Sequence, residues 1–455
     1  MAEKGATPPA AVWRRSGAST LRPPFTMGRC ERCRALTRVA RRSRSGERLC
    51  SQCAAWDRAI AQATSAEPHV REQLYRPRGV VHRLHSKLPS SPVHRPLRIA
   101  LIAPPWLAVP PTAYGGIEVV VALLADALAD AGHDVTLFAA PGSRSRARVV
   151  TVLDRRHERE IGKSVVEADH VARVFDEIER AALDAEPFDV VHDHSGWVAL
   201  AMADRLQVPV VHTVHGDFDE NARRFYAAHA SKAAITCLSN AQAALAPVGV
   251  RIDAVVPNPV DVDAWPQRAD KEDYLLWAGR FAPEKGAHRA IRVAKATRRP
   301  LVLAGPIQPG QETYFAEKIE PHLDGRRIRY IGEVGGREKH ELFAGAHAFL
   351  MPITWQEPFG MVMVEAMAAG TPVIAFNNGS APEVVEHGRS GVIVEDEIEM
   401  ARAVATASEL DPRECRASAA ERFSPAAVAA RYEQVYRAIA MPAGPALHDE
   451  EAVSA

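Results

Sequence analysis

The chain has 455 residues, 47% hydrophobic and 25% charged, with 56 Lys/Arg against 56 Asp/Glu and six cysteines. That length implies more than one domain, each with an ample core, and the composition is ordinary for a soluble protein. Residues 1–58 carry a net +9 and the remainder −9, which excludes a general nucleic-acid footprint on the main body; four clustered cysteines plus lone Cys237 and Cys415 exclude a disulfide framework.

No uninterrupted apolar run approaches the ~20 residues of a spanning helix. The opening MAEKGATPPAAVWRRSG lacks the apolar core of a secretion signal. The expected location is cytoplasmic.

The first 95 residues form a basic extension. Cys30-x2-Cys33 and Cys50-x2-Cys53 are sixteen residues apart, the spacing of a four-thiolate zinc ribbon or treble clef, here over residues 28–56. A segment this small and polar needs a metal to fold. Four thiolates fill a tetrahedral ion, so the zinc would be structural, and no catalytic metal is expected. Residues 61–96 are rich in Pro, Ser and His and read as a linker. The charge of the arm permits nucleic-acid, protein or membrane contact, but it reads first as a solvated basic face.

Residues 97–265 read as the first large domain. Leu97–Ala103 is a buried strand, followed by a loop ending Tyr114-Gly115-Gly116 and a helix over Ile117–Ala131 closed by Gly132. Val135–Ala139 is the next strand, and the β–loop–α order recurs through Asp189–Val191, Val208–His212 and Ala234–Cys237. This alternation predicts a doubly wound parallel sheet. Gly115 and Gly116 let backbone N–H groups approach a phosphate at a helix N-terminus. His192-Asp193-His194 and His212–Asp217 follow strand ends, where open α/β sheets place their sites; a metal reading of them is open. Asp217-x-Asp219 and Asp261-x-Asp263 have the form of a metal-binding DxD motif but are discounted. Arg144, Arg146, Arg148, Arg155, Arg156 and Arg159 make a basic patch, read as a solvated face with anionic-membrane contact as the other reading.

Residues 266–424 read as the second large domain. The strand Tyr274–Ala278 runs into Gly279-Arg280-Phe281-Ala282-Pro283-Glu284-Lys285-Gly286. Arg280 offers a planar fork to two phosphate oxygens and Lys285 adds a point charge, so the pair can hold a diphosphate. A helix over Ala287–Thr297 and strands at Leu301–Ala304, Ile328–Ile331, Ala348–Met351 and Gly391–Val394 continue the pattern. Glu357-PFGMVMV-Glu365 opens with a carboxylate, turns at Pro358-Phe359-Gly360 and enters a helix ending at Ala369-Gly370. The two carboxylates would lie roughly 12 Å apart at most if all were helical. The helix N-terminus attracts an anion, and each carboxylate can accept two hydrogen bonds from a vicinal diol. One anion site between two diol readers suits a nucleotide-sugar: sugar, diphosphate, ribose.

This stretch resembles the E-x7-E signature of the retaining glycosyltransferases of family GT4. Two Glu at that spacing are common by chance; Pro-Phe-Gly, Glu-Ala-Met-Ala and Gly-Thr-Pro-Val around them make the match specific. Gly279–Gly286 resembles the family's diphosphate-binding stretch. The likeness runs in order from about residue 97 to 438 and does not cover the first 95. It implies the GT-B fold: two Rossmann-like domains facing across a cleft, the first for the acceptor and the second for a UDP-, GDP- or ADP-sugar. It implies that Glu357 holds sugar hydroxyls and Glu365 the ribose, that Phe359, Gly360 and Met361 add backbone N–H contacts, and that Arg280 and Lys285 stabilise the leaving diphosphate. His215 matches the family histidine beside the donor sugar, and Gly115-Gly116 the glycine loop facing the diphosphate. Connectors are expected near Asn258–Trp265 and Phe423–Pro425. The last helix, 425–440, would pack back on the first domain, with 441–455 a tail.

Three other readings share parts of this pattern. A GT-B phosphorylase or synthase would carry every motif. A nucleotide-sugar epimerase uses two such domains without needing this context. A zinc-tethered binding protein could carry an inactive transferase body, although intact Arg280, Lys285, Glu357 and Glu365 argue against it.

Overall fold

The computed structural model describes residues 25–29, 36–40, 95–112, 115–268 and 270–440. Cys30, Cys33, Cys50 and Cys53, most of the linker and the last fifteen residues lie outside them. The chain divides into two compact units, Met1–Leu88 and Pro89–Ala455. In the first, β1 (Phe25–Arg29) and β2 (Leu36–Ala40) pair antiparallel, with Arg29 opposite Leu36.

The second unit holds two parallel sheets. In the first sheet the strands are β3 (Arg98–Ile102), β4 (Asp134–Phe138), β5 (Arg148–Val150), β6 (Val190–Asp193), β7 (Val210–Thr213), β8 (Ala234–Cys237) and β9 (Ala254–Val255), ordered β5-β4-β3-β6-β7-β8-β9. Its helices are α1 (Gly116–Asp130), α2 (Ser164–Leu183), α3 (Trp197–Ala201), α4 (Glu220–His229) and α5 (Asn240–Ala243). The second sheet comprises β10 (Leu275–Ala278), β11 (Leu301–Ala304), β12 (Ile328–Tyr330), β13 (Ala348–Met351), β14 (Val373–Phe376) and β15 (Gly391–Val394), ordered β12-β11-β10-β13-β14-β15. With it go α6 (Ala287–Thr297), α7 (Glu312–Lys318), α8 (Gly336–Gly345), α9 (Met361–Ala368), α10 (Ala381–Val384), α11 (Glu397–Thr406) and α12 (Pro412–Phe423). The chain then enters α13 (Pro425–Ala440).

Why the central strands read as unbroken apolar runs is visible in β3. Ile99 and Leu101 pack into one core layer with α1, while Ala100 and Ile102 pack into the other with Val171, Phe175 and Ile178 of α2. Alternate side chains serve opposite faces, and helices cover both, so a buried position is apolar unless a partner satisfies it, as for His192 and Asp193 at the end of β6. In each sheet the strand order reverses beside the first strand, between β3 and β6 and between β10 and β13. At such a switch point adjacent loops leave in opposite directions and open a crevice.

Val428, Tyr432 and Tyr436 of α13 recur every four residues, the spacing of one helix face. All three are buried in the core layer that contains α1. The crossing into that helix is tied to the other connector by Val260 N–H donating to Phe423 O at 2.8 Å.

Several polar runs resolve into local structure. Asp219 caps α4 by accepting from Ala222 N–H, and Asp261 caps the 3-10 turn Val262–Ala264 by accepting from Asp263 N–H, so one aspartate of each DxD pair serves as a cap. Within the arginine patch, Arg146 pairs with Asp130 at 2.8 Å, Arg155 with Glu160 at 3.1 Å and Arg156 with Glu158 at 3.1 Å. Half of the patch is thus neutralised by neighbouring carboxylates, and Arg148 donates to Thr136 Oγ1 instead. No helix among the described residues is long and apolar enough to cross a membrane.

Candidate active site

The loops after β10 and β13 leave on either side of the second switch point and bring Lys285 and Glu357 together. Lys285 Nζ donates to Glu357 Oε2 at 2.6 Å, with both side chains about 15% exposed. Trp355 Nε1 donates to the same oxygen at 3.0 Å, and its ring lies 4.2 Å from Lys285 Nζ. The loop carrying Lys285 is pressed on β13's extension: Gly286 sits at φ 79°, where a Cβ would lie 2.2 Å from Pro352 O. Only glycine meets both demands.

Glu357 is held from behind by the loop after β14. Ser380 N–H donates to Glu357 O at 3.0 Å, and Ser380 Oγ donates to Phe359 O at 2.7 Å. A Cβ on Gly379 would meet Glu357 N at 2.5 Å. Phe359 is buried edge-on against Phe423. Gly360, at φ 80°, starts α9. Met363 N–H bonds Gly360 O, whereas the N–H groups of Met361 and Val362 have no acceptor among the described residues. These free donors sit at the positive end of the helix. Glu357 precedes the helix instead of lying within it.

The C-terminal end of α9 is capped by cations. Arg416 Nη1 donates to Ala368 O at 2.7 Å, and Lys271 Nζ donates to Ala369 O at 3.2 Å. Lys271 also donates to Ala344 O and Thr371 Oγ1, and burial pushes its pKa down to about 8. Positive charge here satisfies the last carbonyls and opposes the negative end of the dipole.

Arg280 is half-buried and donates to Gln308 Oε1 at 3.0 Å. Among the described residues no carboxylate pairs with it. Glu365 accepts from Lys339 Nζ at 2.6 Å through Oε1, while its buried Oε2 has no hydrogen-bond partner. A buried carboxylate oxygen without a donor is costly, so a ligand hydroxyl would be stabilised there. Lys339 carries no sequence signal: it is 26 residues from Glu365 and belongs to α8.

On the first sheet, Gly115 and Gly116 begin α1. A Cβ on Gly115 would lie 2.8 Å from Pro111 Cγ, whereas Gly116 faces open space. Gly115 is thus small because its own loop packs on it, and Gly116 leaves the approach clear. The histidines at the ends of β6 and β7 form a buried polar cluster. His192 bonds Tyr436 OH (2.6 Å) and Thr213 Oγ1 (2.8 Å), and His212 bonds Asp193 Oδ2 (2.7 Å) and Tyr226 OH (2.9 Å). No group of three or more His, Cys, Asp or Glu among the described residues could hold a metal ion. These histidines are satisfied by hydroxyls and a carboxylate instead.

His215 lies at the edge of that cluster. Its Nε2 is 2.8 Å from His194 Nδ1, and His194 Nε2 is buried without a partner. If His215 donated, His194 would carry a buried N–H with no acceptor, at a cost of about 1–3 kcal/mol. An unused lone pair costs less, so His194 donates and His215 keeps its hydrogen on Nδ1. Burial pushes His215 down to about 4, with the neighbouring His212 contributing. The ring is neutral at physiological pH and offers one N–H.

The sequence matches agree with this geometry. Residues 114–264 match the family described as Glycosyltransferase Family 4, and residues 262–424 match Glycosyl transferases group 1. AviGT4, a glycosyltransferase involved in avilamycin A biosynthesis, has a solved structure 31% identical to this chain. It aligns over 76% of this chain and 99% of its own, with a TM-score of 0.60. This chain belongs to glycosyltransferase family 4. It is a retaining enzyme with a nucleotide-sugar donor and the GT-B fold. The glycogen synthase of Mycobacterium tuberculosis is 28% identical over 345 residues, 65% of this chain and 82% of that protein. The D-inositol 3-phosphate glycosyltransferase of Pseudarthrobacter chlorophenolicus is 27% identical over 331 residues, 62% of this chain and 78% of that protein. The relatives of this glycosyltransferase thus carry the names of different reactions.

Proposed function

We propose that the crevice at the second switch point binds the nucleoside diphosphate sugar through the residues predicted for it. Arg280 and Lys285 hold the diphosphate, with the free N–H groups at the start of α9 beside them and the Gly115-Gly116 loop facing them. Glu365 holds the ribose diol. Glu357 holds hydroxyls of the sugar, and His215 donates Nδ1–H to another. Negative charge grows on the diphosphate as the anomeric bond breaks, so the cations act mainly in the transition state. The observations that carry this reading are the buried oxygen of Glu365 that has no hydrogen-bond partner and an Arg280 that no carboxylate pairs with among the described residues.

Thermal unfolding with UDP-, GDP- and ADP-glucose and their mannose counterparts tests it. Binding to the folded state alone raises apparent stability by about 2.7 kcal/mol at a hundredfold excess over Kd. One nucleotide series should shift the midpoint, and Glu365→Gln should weaken that shift. Equal shifts for parent and Glu365→Gln would remove the ribose role.

We also propose that Cys30, Cys33, Cys50 and Cys53 hold one structural zinc. The paired ends Arg29 and Leu36 bracket Cys30 and Cys33 in the sequence, as a hairpin zinc knuckle requires. Elemental analysis should give about one zinc per chain. A Cys30→Ser variant with full zinc content would contradict the site.

A further inference from the structure

Residues 239–242, at the start of α5, touch both halves of the site. Ser239 Oγ donates to Pro358 O at 2.7 Å, beside Glu357. Gln242 is 2% exposed. Its Nε2 donates to Val214 O at 2.9 Å and Gly216 O at 2.7 Å, the carbonyls on either side of His215. Its Oε1 accepts from Leu238 N–H at 2.7 Å, and its backbone N–H donates to Ser239 Oγ at 3.0 Å. An unbroken line of bonds therefore runs from the Glu357 turn to the His215 loop. A second anchor lies alongside: Glu383 of α10 accepts from the N–H of Asn240 at 2.7 Å and of Ala241 at 2.6 Å. α10 follows Ser380, which itself holds Glu357 and Phe359.

We propose that Ser239 and Gln242 are positioning residues that set the separation of Glu357 and His215 across the cleft. The proposal rests on the roles given above to those two groups. Its chemistry is specific to an amide. Gln242 spends two N–H donors and one acceptor on three backbone groups, so the residue must offer both. Leucine offers neither. A glutamate carboxylate would face two carbonyl oxygens and repel them, while its protonated form restores one donor. Burial raises the pKa of such a carboxyl, so protonation should occur within reach of neutral pH.

The test uses the full chain with the donor identified by the thermal panel. Gln242→Leu, Gln242→Glu and Ser239→Ala are compared with the parent for kcat and KM, and for calorimetric binding of the matching free nucleoside diphosphate. Misplacing a reacting group by about 1 Å costs on the order of a hundredfold, so Gln242→Leu should lose about 10–100-fold in kcat. Nucleoside diphosphate affinity should stay within about twofold, because its proposed side-chain contacts, Arg280, Lys285 and Glu365, all belong to the elements of the second sheet. Gln242→Glu should recover relative to the parent as pH falls from about 8 to 6. Ser239→Ala should show a smaller fall of the same kind and carries the test if a Gln242 variant fails to fold.

Parental kcat in both Gln242→Leu and Ser239→Ala overturns the proposal. So does a nucleoside diphosphate affinity that falls in parallel with kcat, or a Gln242→Glu pH profile identical to the parent's. His215→Ala and Glu357→Gln are run beside them. If those two keep parental kcat, the site reading fails. If they lose it while the Gln242 and Ser239 variants do not, the positioning role alone fails.

Discussion

Arg280→Ala should lower kcat by about a hundredfold, corresponding to roughly 3 kcal/mol of lost transition-state stabilisation. The guanidinium is half-buried, makes a single bond to Gln308 and has no carboxylate partner among the described residues. Its charge is therefore available to a ligand rather than already balanced. Lys285 differs, because Glu357 already compensates it. Charge on the leaving diphosphate is greater in the transition state than in the bound donor, so the loss should fall on kcat more than on KM. Arg280→Lys should restore only part of the activity, since an ammonium cannot reproduce the planar fork. Steady-state kinetics with a melting curve check this. Parental kinetics in a folded Arg280→Ala protein would remove Arg280 from the mechanism.

Acidification should destabilise the fold from about pH 6.5 downward, well before most carboxylates titrate. His170 and His215 are pushed down to about 4, and His192 and His194 lie well below the usual histidine range, in each case chiefly by burial. Between those folded values and 6.5 the unfolded chain binds more protons than the folded one. Stability is then fully present above 6.5 and is lost as pH falls toward 4. For His170 alone the loss by pH 4 is roughly 3 kcal/mol, a large share of a typical folding free energy. Buried Glu118 and Glu167, whose pKa values burial raises, act in the opposite sense as they protonate.

Urea midpoints between pH 7.5 and 4.5 check the prediction. His170→Phe should be less stable than the parent at pH 7.5, because it loses the 3.1 Å bond to Ala103 O. It should lose less on acidification. Identical pH slopes for the two proteins would exclude His170 as a contributor.

The motifs that the sequence alone determined are those made within one short run. Arg280 and Lys285 sit on a single turn after β10. Glu357, the Pro-Phe-Gly turn, α9 and its closing Gly370 at φ 68° form one continuous piece. The parallel-sheet architecture was legible for a related reason. A strand buried on both faces is apolar wherever no partner satisfies a polar group, and a covering helix must be apolar on one face, so burial writes its period into the chain.

Tertiary structure decided which runs meet. The spacing of Tyr432 and Tyr436 marks an inward face, yet nothing near them in sequence points to His192, 244 residues from Tyr436. Lys339 against Glu365, Glu383 on the start of α5, and Gln242 around His215 are likewise contacts between separate elements. Lys285 was readable as a candidate phosphate ligand, but its pairing with Glu357 depends on strand order, because β13 lies beside β10 only through the reversal at the switch point. Hydrogen bonds of this kind need particular distances between particular atoms. Residue type and period specify which groups must find partners, and only the packing of the sheets fixes which partner each one reaches.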